Sequence, residues 1–325
     1  MSRFRSASAL AVGAALSLGL VASASVASAA DLPVKAVPVA AAVPLDVHGF
    51  FDLTIASNRV TGGGLLLYPS RGALTQAATG LSLDVYKDPG GFINSISLYG
   101  GVWNEFWSSP GGGNRTWQEM DWWVGASIGF AKYWKFSAEH LEFHFPNAIP
   151  TAYNYVFTLV YNDAHWGWPI PLNPYVSVFY NAAGGSTVVF GKRSGGYRVT
   201  LGIAPSISPF KGIPLSLTFP TSIVLGPSEF WNRADGTTNV CGPLGTLPCA
   251  TSSVGMITTG LQAKLLIDSI IPKRLGTWYI KGGVQYYHIM NDSLLAAQVV
   301  TGAATTFATA HKDVLVGTGG IGFSF

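Results

Sequence analysis

The chain has 325 residues, of which 11% are charged, 48% hydrophobic and 13% aromatic, with 39 glycines and a formal net charge of +3. So small a charge excess, with no basic helix and no aromatic–basic module, excludes an electrostatic nucleic-acid surface. It is also too little charge for an ordinary soluble domain, in which about a quarter of residues are charged.

In chain order, Arg3 and Arg5 precede an apolar stretch from Ala9 to Val21 and small residues through Ala30. That layout predicts a cleaved secretory signal over 1–30, because the apolar core is too short and too interrupted for a membrane helix. Residues 31–44 (DLPVKAVPVAAAVP) read as a flexible periplasmic lead-in and 45–325 as one domain. Past the signal no apolar run is long enough for a membrane-crossing helix.

Period-two alternation instead predicts about twelve strands, near 47–57, 80–87, 93–107, 118–131, 134–145, 152–162, 174–182, 196–205, 214–225, 255–268, 276–290 and 313–325. Many approach the roughly nine to eleven residues that cross a bilayer at a tilt. If the N-terminus is periplasmic, the outer connections are mostly long and the inner ones mostly short, as a transmembrane barrel requires. Two links depart from that rule, the short outer one at 146–151 and the long inner one at 163–173. An even count brings the C-terminus back to the periplasm, and ten or fourteen strands would also do so.

Side-chain parity supports the same reading. In 118–131, Met120, Trp122, Val124, Ala126, Ile128 and Phe130 share one face, against Glu119, Asp121, Ser127 and Gly129. In 255–268, Ile257, Leu261, Ala263 and Leu265 oppose Thr258, Gln262 and Lys264. In 276–290, Trp278, Ile280, Val284 and Tyr286 oppose Tyr279, Lys281, Gln285 and Tyr287. Tyr197, Val199 and Leu201 likewise oppose Arg198 and Thr200. A soluble β-sandwich also alternates, but it would place charge on its outside and carry more of it. The fold predicted is therefore all-β, a single antiparallel transmembrane barrel with charged residues turned into the lumen.

One strand, 134–145, breaks the pattern. Leu141, Phe143 and Phe145 share a face with Glu139, while Glu142 and His144 share the other with Phe136. A bulge near Glu139, or a rim position for that residue, would reconcile the halves, with Glu142 facing inward.

The terminal segment DVLVGTGGIGFSF sets Leu315, Ile321, Phe323 and Phe325 against Thr318, Gly320, Gly322 and Ser324. It resembles the C-terminal assembly signal of Gram-negative outer-membrane barrels, which implies the barrel-assembly machinery as a partner that reads Phe323 and Phe325. ADLPVKA resembles the mature start of small outer-membrane proteins from rhizobia and related alphaproteobacteria. GLSLDVYKD, SLYGGVWNEFW and DWWVGASIGF are similar to the hairpins of TorF-type porins.

Catalytic signatures are scarce: the sequence contains no HExxH, P-loop or CxxC pair. His144 and Glu142 lack a third metal ligand, and no cofactor or metal is implied. His288, followed by Asn291, Asp292 and Ser293, is where a lipid-modifying enzyme would hold a triad, although the interfacial belt suits it equally. Cys241 and Cys249, in CGPLGTLPC, suit a local disulfide in an oxidising compartment better than a metal site.

The inward charges separate by sign. Asp52, Asp84, Glu105, Glu119, Asp121 and Glu142 fall on the first five strands, and Arg198, Lys264 and Lys281 on the eighth, tenth and eleventh. Opposed walls of this kind would put a transverse field across a pore; paired, the same charges would plug it. Inward Trp123, Tyr175, Phe179 and Tyr279 would narrow it further or stack on a ligand. The expectation is a monomer in the outer membrane, among lipid and lipopolysaccharide, passing small solutes passively through a narrow lumen. The alternative is a closed structural or loop-presenting barrel, and a lipid-modifying enzyme stands third.

Overall fold

The computed structural model describes residues 46–67, 72–109, 116–146, 150–185, 194–231, 240–241, 247–248 and 252–325. The predicted signal and lead-in and Cys249 lie outside the described residues. So, therefore, does the expected disulfide.

Twelve strands form the wall: β1 Asp46–Ala56, β2 Leu74–Lys87, β3 Ile93–Trp107, β4 Trp117–Phe130, β5 Trp134–His144, β6 Ala152–Tyr161, β7 Tyr175–Gly184, β8 Gly196–Ile203, β9 in two pieces (Leu215–Thr218 and Thr221–Leu225), β10 Val254–Leu266, β11 Thr277–Ile289 and β12 Asp313–Ser324. Each pairs antiparallel with its neighbours in sequence. β12 also pairs with β1, from Ala56↔Thr318 to Phe50↔Ser324, so the sheet closes on itself. Closure runs to the last residue, because Gly49 and Phe325 exchange both backbone hydrogen bonds at 3.0 Å. A closed barrel has no unpaired edge, which is what a β structure needs in lipid.

All twelve expected strands are present. β2 begins at Leu74 rather than near 80, because its outward residues there, Thr75, Ala77 and Thr79, give a weak alternation signal. β9 is interrupted at Phe219–Pro220, where proline offers no N–H to the ladder. The long inner link has its own structure. Asp163 accepts the backbone N–H groups of Leu172 and Asn173, each at 2.9 Å, and His165 stacks on Tyr133 at 3.6 Å.

The outer face is apolar along most strands. Val47, Ile55, Leu81, Leu98, Val124, Leu201, Ile280, Val284 and Leu315 are all exposed. Toward the inner rim Trp278 stacks on Phe323 at 4.8 Å, with Phe51 and Phe325 beside it, as an interfacial girdle does. Among the described residues no helix is long and apolar enough to cross a membrane.

β5 corrects the sequence reading. Its ladders to β4 and β6 run without a bulge, pairing Glu139 with Gly125, Leu141 with Trp123 and Phe143 with Asp121. Glu139, Leu141 and Phe143 therefore point inward, while His140, Glu142 and His144 point outward beside Trp122, Tyr153 and Tyr155. Glu142 does not line the lumen. Its two carboxylate oxygens lie 2.9 Å from His140 Nε2 and 3.0 Å from His144 Nε2, so the outward charge is hydrogen-bonded within an aromatic belt.

Candidate functional site: the lumen and its cap

Many of the inward residues at the outer end of the barrel are apolar. Ala56, Leu74, Trp107, Phe179, Val224, Met256, Ile289, Val314 and Val316 are all buried, and they share one cluster with Leu66, Phe230, Trp231, Leu294, Leu295 and Ala303 from the outer connections. The strands thus supply a ring of apolar ends, and three loop segments fill it.

The first segment is a tight hairpin after β1, in which Arg59 and Val60 pair with Leu67 and Leu66. It crosses the lumen. Arg59 meets Glu105 on β3 and Glu119 on β4, and a Cβ added to Gly62 would lie 2.8 Å from Arg198 Nη2 on β8. Farther along, a Cβ on Gly64 would lie 2.7 Å from Leu294 and 3.3 Å from the Met256 sulfur on β10. Gly64 has φ +89°, so both its conformation and its surroundings call for glycine.

The second segment is a short turn, Ser228–Trp231, whose Trp231 indole donates to the Gly226 carbonyl at 3.3 Å. The third is helix α1, Asp292–Val300. Asn291 caps it by accepting the Ser293 N–H at 3.1 Å, and residues 293–298 are buried. Ser293 Oγ donates to the Trp231 carbonyl at 2.7 Å, which ties the second and third segments together. That hydroxyl is turned into the cap and away from His288, whose Nδ1 lies 2.7 Å from Asp313 Oδ1 instead. The Asn–Asp–Ser sequence after His288 serves the helix.

Below the cap the inward charges pair locally rather than across opposed walls. Arg59 Nη1 lies 2.5 Å from both Glu105 Oε2 and Glu119 Oε2, with its guanidinium 4.8 Å from the centre of the Trp103 ring. Trp107 Nε1 donates to Glu105 Oε1 at 2.7 Å. Asp121 is buried close by, and its Oδ1 has no hydrogen-bond partner among the described residues. Asp52 binds Lys281 Nζ at 2.5 Å and accepts from Tyr279 Oη at 2.9 Å and Thr54 Oγ1 at 2.8 Å. These partners sit on β1 and β11 and reach across β12, where a Cβ on Gly322 would lie 2.5 Å from Tyr279 Oη.

At the inner rim Asp84 accepts from Ser97 Oγ at 2.6 Å and pairs with Lys87 Nζ at 2.8 Å, beside Asp46 and His48. Two inward bases have no carboxylate within ion-pair distance among the described residues: Arg198, which lies over Phe179, and Lys264, which lies over Tyr279.

The inward aromatics lie along the wall. Trp123 covers Gly101, Tyr175 covers Gly202 and Tyr279 covers Gly322, so each ring fills the space of a missing side chain on an adjacent strand. Sequence reasoning had these residues and the acids other than Glu142 facing the right way, but it missed Arg59 and the cap. The available signals were the apolar run Leu65–Leu67 inside a supposed outer loop, and Asn291–Asp292 ahead of LLAAQVV, which reads as a capped helix.

No protein-family model and no curated protein matches the sequence. Among solved structures the chain is similar to the transport unit of the autotransporter AIDA-I from Escherichia coli, at 12% identity and a TM-score of 0.36 over 86% of this chain and 90% of that one. It is similar to the translocator domain of the autotransporter NalP from Neisseria meningitidis at 11% identity and 0.35, over 86% and 88%. A porin follows at 10% identity and 0.29, over 87% and 100%. Likeness this distant carries no functional argument.

Proposed function

We propose that this protein is an outer-membrane channel for small hydrophilic solutes that its own outer loops hold shut at rest. The observation that carries the reading is the placement of the hairpin 59–67 and helix α1 inside the outer mouth, above a polar inner lumen. Leu66, Trp231, Leu294 and Leu295 are at most 2% exposed. Burying four such side chains contributes roughly 6–12 kcal/mol, so spontaneous opening is rare and free diffusion is not the resting behaviour.

The charged interior supports a channel over inert scaffolding. Buried ions cost stability that apolar packing would not, and Lys264, exposed to the lumen, remains available to solutes on the inner side. In that reading Asp52, Asp84, Glu105, Glu119, Asp121, Arg198, Lys264 and Lys281 set selectivity. The strength of the cap favours the second reading, a permanently closed barrel that presents its outer loops.

Liposome swelling separates the two. Proteoliposomes of the intact chain should not swell in small sugars, whereas Leu66→Ala combined with Leu294→Ala should admit them. A variant that loses the cap yet stays impermeable overturns the channel reading.

A further inference from the structure

The group of charges beneath the hairpin is chemically unbalanced. Glu105, Glu119 and Asp121 are 1%, 5% and 8% exposed, and Arg59 is the cation that meets them. Three carboxylates against one guanidinium leave two formal negative charges without a partner of opposite sign, and burying such charges is costly unless a further cation or protons neutralise them. Two buried acceptors, Asp121 Oδ1 and Asn58 Oδ1, have no hydrogen-bond partner among the described residues. Asn58 directly precedes Arg59 in the same loop.

The occupant is itself informative. A guanidinium here has two carboxylates 2.5 Å from one nitrogen and an indole ring 4.8 Å from its carbon. Carboxylate oxygens around the edge of a planar cation and an aromatic ring near it are the elements that recognise guanidinium groups in general. Arg59 is tethered by a loop rather than by the barrel wall. The carboxylates belong to the wall itself, on adjacent strands β3 and β4, and Glu105 pairs directly with Glu119.

We propose that Glu105, Glu119 and Asp121 form a lumenal subsite for guanidinium-bearing solutes, and that Arg59 is its resident occupant and the latch of the first cap segment. The proposal rests on the closed-at-rest reading. A solute carrying a guanidinium competes with Arg59 for the same carboxylates, and the hairpin is released as it binds. Arg198 lies beside Gly62 at the far end of the hairpin, and Arg59 is the charged side chain of residues 59–67, so once the latch is displaced no other ion pair among the described residues holds the hairpin to the wall.

Competition tests this. In refolded wild-type barrels, millimolar methylguanidinium should quicken amide exchange at Thr61–Leu67 at least tenfold, towards the rate of Arg59→Ala, and methylammonium should act more weakly. Arg59→Ala, with the subsite vacated, should bind methylguanidinium at least tenfold more tightly than wild type by calorimetry, and adding Glu119→Gln should abolish that binding. Arg59→Lys, which keeps a cation at the site, covers the case in which the alanine variant fails to fold: its hairpin should be released at a lower methylguanidinium concentration than that of wild type. No binding in either background, or equal binding with Glu119→Gln, overturns the subsite and leaves protons as the neutralising species. Conductance of the same samples keeps the two claims apart. Hairpin release by methylguanidinium without any current sustains the subsite and counts against the channel; current in Arg59→Ala with no methylguanidinium binding does the reverse.

Discussion

At the inner end of the barrel the residues that face the lumen include Asp52, Gln262, Lys264 and Lys281, while at the outer end of the same strands they include Ala56, Met256 and Ile289. The outward set is apolar along most of both halves. One alternation therefore encodes two interiors, because the inward residue type is set by what fills the lumen at that height: water below, loop side chains above. The two ends are accordingly held by different forces. Apolar burial, latched by the ion pairs of Arg59, anchors the outer loops, whereas hydrogen bonds and ion pairs alone hold the inner rim and its links.

Breaking the outer half should cost most. Leu66→Ala or Leu294→Ala opens a cavity in the cap and should cost about 2–5 kcal/mol each, read as a lower urea midpoint for the heat-modifiable band on gels. The same truncation in the inner half, Gln262→Ala, should stay within about 0.5 kcal/mol, and a loss as large as that at Leu66 would erase the distinction between the halves. Between these lies Asp52→Asn, which strands Lys281. With both groups partly exposed, the loss should be about 1–2 kcal/mol.

The smallest effect should be present at neutral pH and fade in acid, and it lies at the inner side. Asp163 lies in the link between β6 and β7, where burial raises its carboxyl pKa but the N–H groups of Asn173 and Leu172 outweigh that and hold it below the usual value. A depressed folded value means that the stability it adds is full above about pH 4 and is lost as pH falls through the lower folded value. The wild-type melting temperature should therefore exceed that of Asp163→Asn at neutral pH, with the gap narrowing below about pH 4. A gap unchanged by acid would remove the charge from the account.

Much of the wall was legible in the sequence because strand parity is a local property. Trp122 and Asp121 announce opposite faces without reference to any other strand. Glu142 was misread for the same reason: Leu141 and Phe143 look lipid-facing until the cap inside the lumen is known, and only then does an apolar inward pair become sensible. Arg59 and helix α1 were missed because their roles depend on contacts across the barrel, between residues as far apart in sequence as Arg59 and Glu119. The pairing of Asp52 with Lys281 across β12 turned an expected pair of opposed walls into a local ion pair.

Solvent access at two positions on the strands that flank β11 tests the two-interior account most directly. With Cys241 and Cys249 replaced by serine, single cysteines at Val316 and at Gln262 would be titrated with a water-soluble maleimide in refolded barrels. Val316 is 5% exposed and packed under the cap, whereas Gln262 is exposed to the inner lumen. Gln262→Cys should react at least about a hundredfold faster than Val316→Cys, since the latter needs local opening of the cap. Equal rates at the two positions would contradict a dry outer half and, with it, the closed resting state.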